Sequence, residues 1–284
     1  MRKQQLIVAG VGLLLFIIIL AFGNFIPPKS SMTAAPMAAA QQSVPALTTS
    51  DVLAAAKAKL SPAEQERITM LENNVVRGDV KDLKIKQYKQ LASFWTDSMQ
   101  NLSLGAFYSG EAAKLENSEQ KLTFAARNLL SYTMAEQSMP MQTWMASEAK
   151  ELFEQALKIN PADDSAKVGI GGCYMFGNLS GNPMQEILKV REIAEKNPDN
   201  LYAQMMLGLG GVKSGQYDNA VKRFQAVLEK QPQNLEAIFN LAETYDRMQD
   251  KANAIKWYKE AGSLMKIPEA KKEIQQRIAS LENE

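Results

Sequence analysis

The stretch Leu207–Gly215, LGLGGVKSG, holds the residue types of a phosphate-binding loop: glycines at 208, 210 and 211, then Lys213 and Ser214. Such a loop wraps phosphate in backbone N–H groups and needs Gly-x-x-x-x-Gly-Lys-Ser/Thr between a strand and a helix. Here Val212 precedes Lys213, Leu207 stands where the first glycine belongs, and the preceding NLYAQMM continues a helical pattern. The spacing excludes a nucleotide loop. A second run, Gly169–Gly172, sits two residues out of register with Gly208–Gly211, and the likeness is read as coincidence. Each glycine in a helix interior costs roughly 1 kcal/mol against alanine. Some of these sites are therefore expected to admit a close helix contact or a close ligand.

The rest of the chemical inventory is short. The 284 residues contain no histidine, which removes histidine-based triads, His-Glu zinc sites and imidazole bases. Cys173 is the one cysteine, so neither an intrachain disulfide nor a cysteine metal cluster can form. Glu243 and Asp246 share a helical face, as solvated acidic pairs commonly do. With 32 basic and 31 acidic side chains and no basic run, nucleic acid is not an expected partner. The residues point to a non-enzymatic protein with no cofactor, no metal and no small-molecule substrate.

The elements that must position any site begin with Leu6–Ile26, LIVAGVGLLLFIIILAFGNFI, which carries no charge. As a helix it would be about 31 Å long, matching a hydrocarbon core of ~30 Å. A cleaved signal peptide is the rival reading, but its apolar region is usually shorter and is followed closely by a small-residue cleavage site. Here Pro27-Pro28-Lys29 follows, and Ala38-Ala39-Ala40 lies well beyond. Residues 6–26 are read as an uncleaved single-pass anchor in contact with the lipid bilayer. Arg2 and Lys3 precede it and only Lys29 follows closely, so residues 1–5 are expected in the cytoplasm. The remainder would then face the periplasm from a bacterial inner membrane. Residues 27–49, rich in proline and alanine, read as a flexible spacer.

From residue 50 the pattern is helical throughout, and no alternation is long enough for a sheet. Ser61, Pro62 and Glu64 form a helix-start signature, and Gly78 reads as a stop. Leu83, Tyr88, Leu91, Trp95 and Met99 recur at helical spacing. Residues 50–119 are thus a helical region, and diverged repeats are one reading of it. Beyond them Asn160-Pro161, Asn197-Pro198, Gln231-Pro232 and Pro268 recur at spacings of 37, 34 and 36 residues. A period near 34 marks a solenoid of helical hairpins.

These residues resemble the tetratricopeptide repeat family over roughly 120–268. The pattern is strongest in 201–234 (Leu207, Gly208, Ala220, Phe224, Val227, Pro232) and 235–268 (Leu241, Ala242, Tyr245, Ala254, Tyr258, Ala261). The stretch 164–200 keeps Ile170, Gly171 and Tyr174, but has Glu186 where a small residue is expected and a longer inter-helix loop. Upstream, Ala149, Phe153, Ala156 and Pro161 mark a clear second helix, with a degenerate first helix around Ala125–Tyr132. Residues 269–284, with Ile274, Ile278 and Leu281 on one face, read as a capping helix. The expected fold is all-α: one transmembrane helix, then an α-solenoid with a C-terminal cap.

The resemblance implies that first helices line a concave groove for a peptide or partner helix. Carried onto this sequence, the groove residues would be Val168, Gly172, Met175, Tyr202, Met205, Met206, Leu209, Lys213, Phe239, Asn240, Glu243 and Arg247. Family members that clamp an acidic C-terminus use lysines and asparagines. Here only Asn240 matches, and Glu236, Glu243 and Asp246 would repel a carboxylate. The implied function is an adaptor or chaperone-like subunit. The alternative is a structural envelope protein that oligomerises with itself and has no dedicated peptide ligand.

Overall fold

The computed structural model describes residues 47–77 and 80–283. The apolar segment 6–26, most of the spacer 27–49 and Gly78 lie outside the described residues. Among the described residues no helix is long and apolar enough to cross a membrane, and every regular element is helical. Residues 45–284 form one compact unit.

Thirteen α-helices follow in order among the described residues: α1 Thr49–Lys57, α2 Pro62–Arg77, α3 Lys81–Ser93, α4 Leu102–Glu116, α5 Glu119–Ala135, α6 Met139–Ile159, α7 Asp164–Phe176, α8 Pro183–Lys196, α9 Leu201–Lys213, α10 Tyr217–Lys230, α11 Leu235–Arg247, α12 Lys251–Leu264 and α13 Pro268–Asn283. A five-residue π-helical turn, Phe94–Ser98, closes α3 and directs both Phe94 and Trp95 into the core. Local sequence sets the starts. Thr48 and Asp51 form a reciprocal capping box at α1, so the last residue of the expected spacer, Thr49, is already helical. Before α2 the Ser61 backbone N–H donates to Glu64 at 2.7 Å.

The recurring prolines have a direct structural meaning. In Asn160-Pro161-Ala162-Asp163, Asn197-Pro198-Asp199-Asn200 and Gln231-Pro232-Gln233-Asn234, the fourth N–H donates to the first carbonyl at 3.1, 3.0 and 3.0 Å. Proline presets the second residue of such a turn. The fourth residue then caps the next helix: Asp163 accepts from Ser165 N–H at 2.8 Å, Asn200 from Ala203 at 3.0 Å and Asn234 from Ala237 at 2.9 Å. One short motif thus ends a hairpin and begins another.

Consecutive helices pair as α5/α6, α7/α8, α9/α10 and α11/α12, and α7 packs against both α5 and α9. The crossings inside the last three hairpins carry a small residue. A Cβ on Gly171 would lie 2.2 Å from Val190 Cγ2, and one on Gly208 would lie 2.5 Å from Phe224 Cε1. Ala242 fills the equivalent place in the next repeat and is fully buried. The glycines therefore serve helix–helix approach. Within the last three hairpins the chain reverses through a residue of positive φ at the same repeat position: Asn178 (53°), Gly215 (74°) and Gln249 (61°). The α7–α8 loop, 177–182, is longer than 214–216 or 248–250, as the sequence predicts.

The last hairpin closes against α13 through Ile274 and Leu281, with Ile278 partly buried beside them. Arg277 of α13 grips Asp246 of α11 with Nε at 2.7 Å and Nη2 at 2.6 Å, while the Tyr258 hydroxyl donates to the same carboxylate at 3.1 Å. Asp246 is therefore a structural ion-pair partner, separate from Glu243 in role. The Arg277 guanidinium holds its carboxyl below the ordinary value. Cys173 is wholly buried in α7, and burial pushes its thiol far up, away from a reactive thiolate.

Candidate functional site

A groove of about 790 Å³ runs over α5, α9 and the starts of α7 and α11. Helix α5 builds most of one wall. Its inward stripe, Leu122, Ala125, Ala126, Leu129, Leu130 and Thr133, is buried in the core. The opposite stripe carries Phe124, Arg127, Asn128 and Ser131 into the groove. Phe124 is 66% exposed, the most solvent-accessible large apolar side chain among the described residues. On the facing side α9 contributes Tyr202, Met205 and Leu209. The two walls meet where the Arg127 guanidinium lies 4.3 Å from the Tyr202 ring centroid.

The acidic end is built by helix starts. Asp163, the α7 cap, also accepts a hydrogen bond from the Thr123 hydroxyl at 3.2 Å. The neighbouring Asp163 carboxyl raises the Glu119 carboxyl above its ordinary value. Glu236, at the start of α11, adds a third carboxylate.

The residues expected from sequence divide into distinct sets. Tyr202, Met205 and Leu209 come together in the groove, with Met205 only 8% exposed. Met206 touches its floor but is 2% exposed and belongs to the core. Val168 is fully buried, and Gly172 is pressed between Leu130 and Met206, so neither presents a surface to a ligand. Met175 and Lys213 line a different hollow of about 840 Å³ between α8, α9 and α10. The Lys213 ammonium there lies 5.3 Å from the Phe176 ring centroid. Phe239 packs edge-on to Tyr258 at 6.0 Å, inside the last hairpin. Asn240 donates to the Glu236 carbonyl of its own helix at 2.8 Å. Phe239, Asn240, Glu243 and Arg247 do not line the groove; Glu236 alone of α11 does.

Sequence reasoning missed the α5 wall: Phe124, Arg127, Asn128, Ser131 and Met134. The degenerate first helix expected around Ala125–Tyr132 lies inside α5, but α6 is 21 residues long where α10 and α12 have 14, so no fixed offset carries groove positions onto α5. The usable signal was local. In QKLTFAARNLLSYTMA the apolar stripe leaves one aromatic, Phe124, on the polar face.

A wider hollow of about 1040 Å³ lies among α2, α3 and residues around Glu116, with Arg67, Lys81, Lys86 and Lys89 in its lining. Glu116 pairs there with Lys89 at 2.7 Å and Lys121 at 2.8 Å, and the first helices of the repeats take no part apart from Lys121.

Residues 212–264 match the family model for the tetratricopeptide repeat. Tetratricopeptide repeats are therefore present in the C-terminal part of the chain. No curated protein matches it. Among solved structures, the type IV pilus biogenesis factor PilW is similar at 19% identity over 72% of this chain and 87% of that chain, with a TM-score of 0.47. YrrB, described as a tetratricopeptide repeat protein with an unusual peptide-binding site, is similar at 18% identity over 67% and 91%, with a TM-score of 0.40. MamA from Desulfovibrio magneticus RS-1 is similar at 17% identity over 66% and 96%, with a TM-score of 0.39.

Proposed function

We propose that this chain is a membrane-anchored adaptor or chaperone-like subunit that holds a partner protein's segment in the α5–α9 groove. The observation that carries the reading is Phe124. A large aromatic left two-thirds exposed beside other apolar side chains in a repeat-built groove is the kind of surface that marks a protein-interaction site. Tyr202, Met205 and Leu209 extend the apolar surface, and methionine adapts to varied ligands. Binding rather than catalysis is the activity. The uncharged run Leu6–Ile26 supports an anchor, and Arg2 with Lys3 supports a cytoplasmic N-terminus and a periplasmic repeat domain in a bacterial inner membrane.

The test is photo-crosslinking in cells from Ser131, an exposed groove position, against Gln225 on α10, followed by mass spectrometry. A partner captured from position 131 alone supports the reading, and the compartment of that partner reports the sidedness. Capture of only further copies of this chain, equally from both positions, favours the self-assembling envelope protein instead.

A further inference from the structure

The charge of the groove narrows the chemistry of its occupant. Its lining holds three carboxylates, Glu119, Asp163 and Glu236, and one cation, Arg127. That cation is committed to the Tyr202 ring. Among the described residues none of the three carboxylates joins a lysine or arginine in an ion pair. By contrast, Glu116 holds two lysines, and Lys114 joins Glu111 and Glu151. The groove thus concentrates one sign of charge in a concave wall, where a counter-charge on a ligand gains most. Glu119 and Asp163 line the same groove, and the Asp163 carboxyl raises that of Glu119, a like-charge arrangement that a positive group on a ligand would relieve. Alongside stand the apolar groups that a ligand must cover, Phe124, Met134, Tyr202 and Leu209.

We propose that the groove takes a protein segment in which lysine or arginine flanks large apolar side chains, the apolar groups covering Phe124, Tyr202 and Leu209 and the cation meeting Glu119, Asp163 and Glu236. This rests on the groove being the binding surface, and it specifies the partner's chemistry. An acidic segment of the same apolar pattern is repelled. Because the carboxylates are near solvent, the preference weakens as salt screens them.

The experiment uses the full chain with a benzoylphenylalanine crosslinker at position 131 and a second preparation with it at 225. The probes are three biotinylated amphipathic peptides with identical leucine and phenylalanine positions and lysine, glutamine or glutamate at the others. Capture at 131 should fall in the order lysine, glutamine, glutamate, with about a tenfold span at low salt that collapses near 1 M salt. Glu119→Gln combined with Glu236→Gln should flatten the order, bringing capture of the lysine and glutamate peptides toward that of the glutamine peptide. Equal capture of all three, or preference for the glutamate peptide, overturns the charge assignment and leaves the groove standing. Capture of every peptide no stronger at 131 than at 225 overturns both.

Discussion

The Arg127 guanidinium rests 4.3 Å from the centroid of the Tyr202 ring, so a side chain of α5 is stacked on one from α9, with α7 packed against both helices. This contact ties two hairpins that are not neighbours in sequence. Arg127→Met should lower stability by about 0.5–1 kcal/mol through loss of the cation–π contact. Tyr202→Phe keeps the ring and should change stability by less than about 0.5 kcal/mol. Urea denaturation of the two variants checks the contrast.

The cap should be pH-sensitive in a definite direction. Arg277 lowers the Asp246 pKa in the folded chain below its ordinary 3.8. The ion pair therefore stabilises fully above the unfolded value and is lost as pH falls through the lower, folded one. At neutral pH Arg277→Met should cost about 1–2 kcal/mol, since Asp246 is mostly shielded but Arg277 is half-exposed. The difference in unfolding midpoint between wild type and Arg277→Met should hold constant from pH 7 to about 5 and close below about pH 4.

Two glycines should respond to alanine with opposite signs. At Gly208 the new Cβ would lie 2.5 Å from the Phe224 ring, which is itself fully buried, so Gly208→Ala should destabilise by about 1–3 kcal/mol. At Gly262, inside α12, the nearest atom is Ile274 Cγ2 at 3.4 Å, an ordinary contact. Gly262→Ala should stabilise by up to about 1 kcal/mol through helix propensity. Thermal unfolding of both variants decides.

Methionines 205 and 206 adjoin in sequence, yet Met206 is 2% exposed and Phe124, across the groove, is 66% exposed. Met206→Glu should destabilise by about 3 kcal/mol or more, because it buries a carboxylate in the core. Phe124→Ala should leave the unfolding midpoint within about 0.5 kcal/mol of wild type. Parallel denaturation curves separate a core residue from a surface one.

What was legible in the sequence follows from this contrast. Proline spacing located the turns because proline at the second turn residue has a local geometric effect, and Gly208 with Phe224 fixed the register of a hairpin whose two helices match in length. Ile274 and Leu281 revealed the cap through simple periodicity. The groove was legible only on its α9 side, where Tyr202 and Leu209 sit in a regular repeat. Its α5 side was hidden because the repeat pattern is degenerate there and α6 runs half again as long as its counterparts, so no fixed offset carries repeat positions onto α5. Met206 and Val168 were misjudged as ligand contacts for another reason. Gly172 lets α7 approach α5 and α9 so closely that the space beside these residues is filled by Leu130 and by Met206 itself. That closeness is a tertiary property, absent from any single helix.

The central claim is that the exposed Phe124 face is where a partner binds. The most direct measurement compares crosslinking in cells from position 131 in the wild-type chain and in Phe124→Ala, with the two chains matched in abundance and unfolding midpoint. The account predicts that capture falls at least about tenfold in Phe124→Ala, the loss expected for a central apolar anchor. Unchanged capture from position 131 would contradict it and place the binding surface elsewhere on the chain.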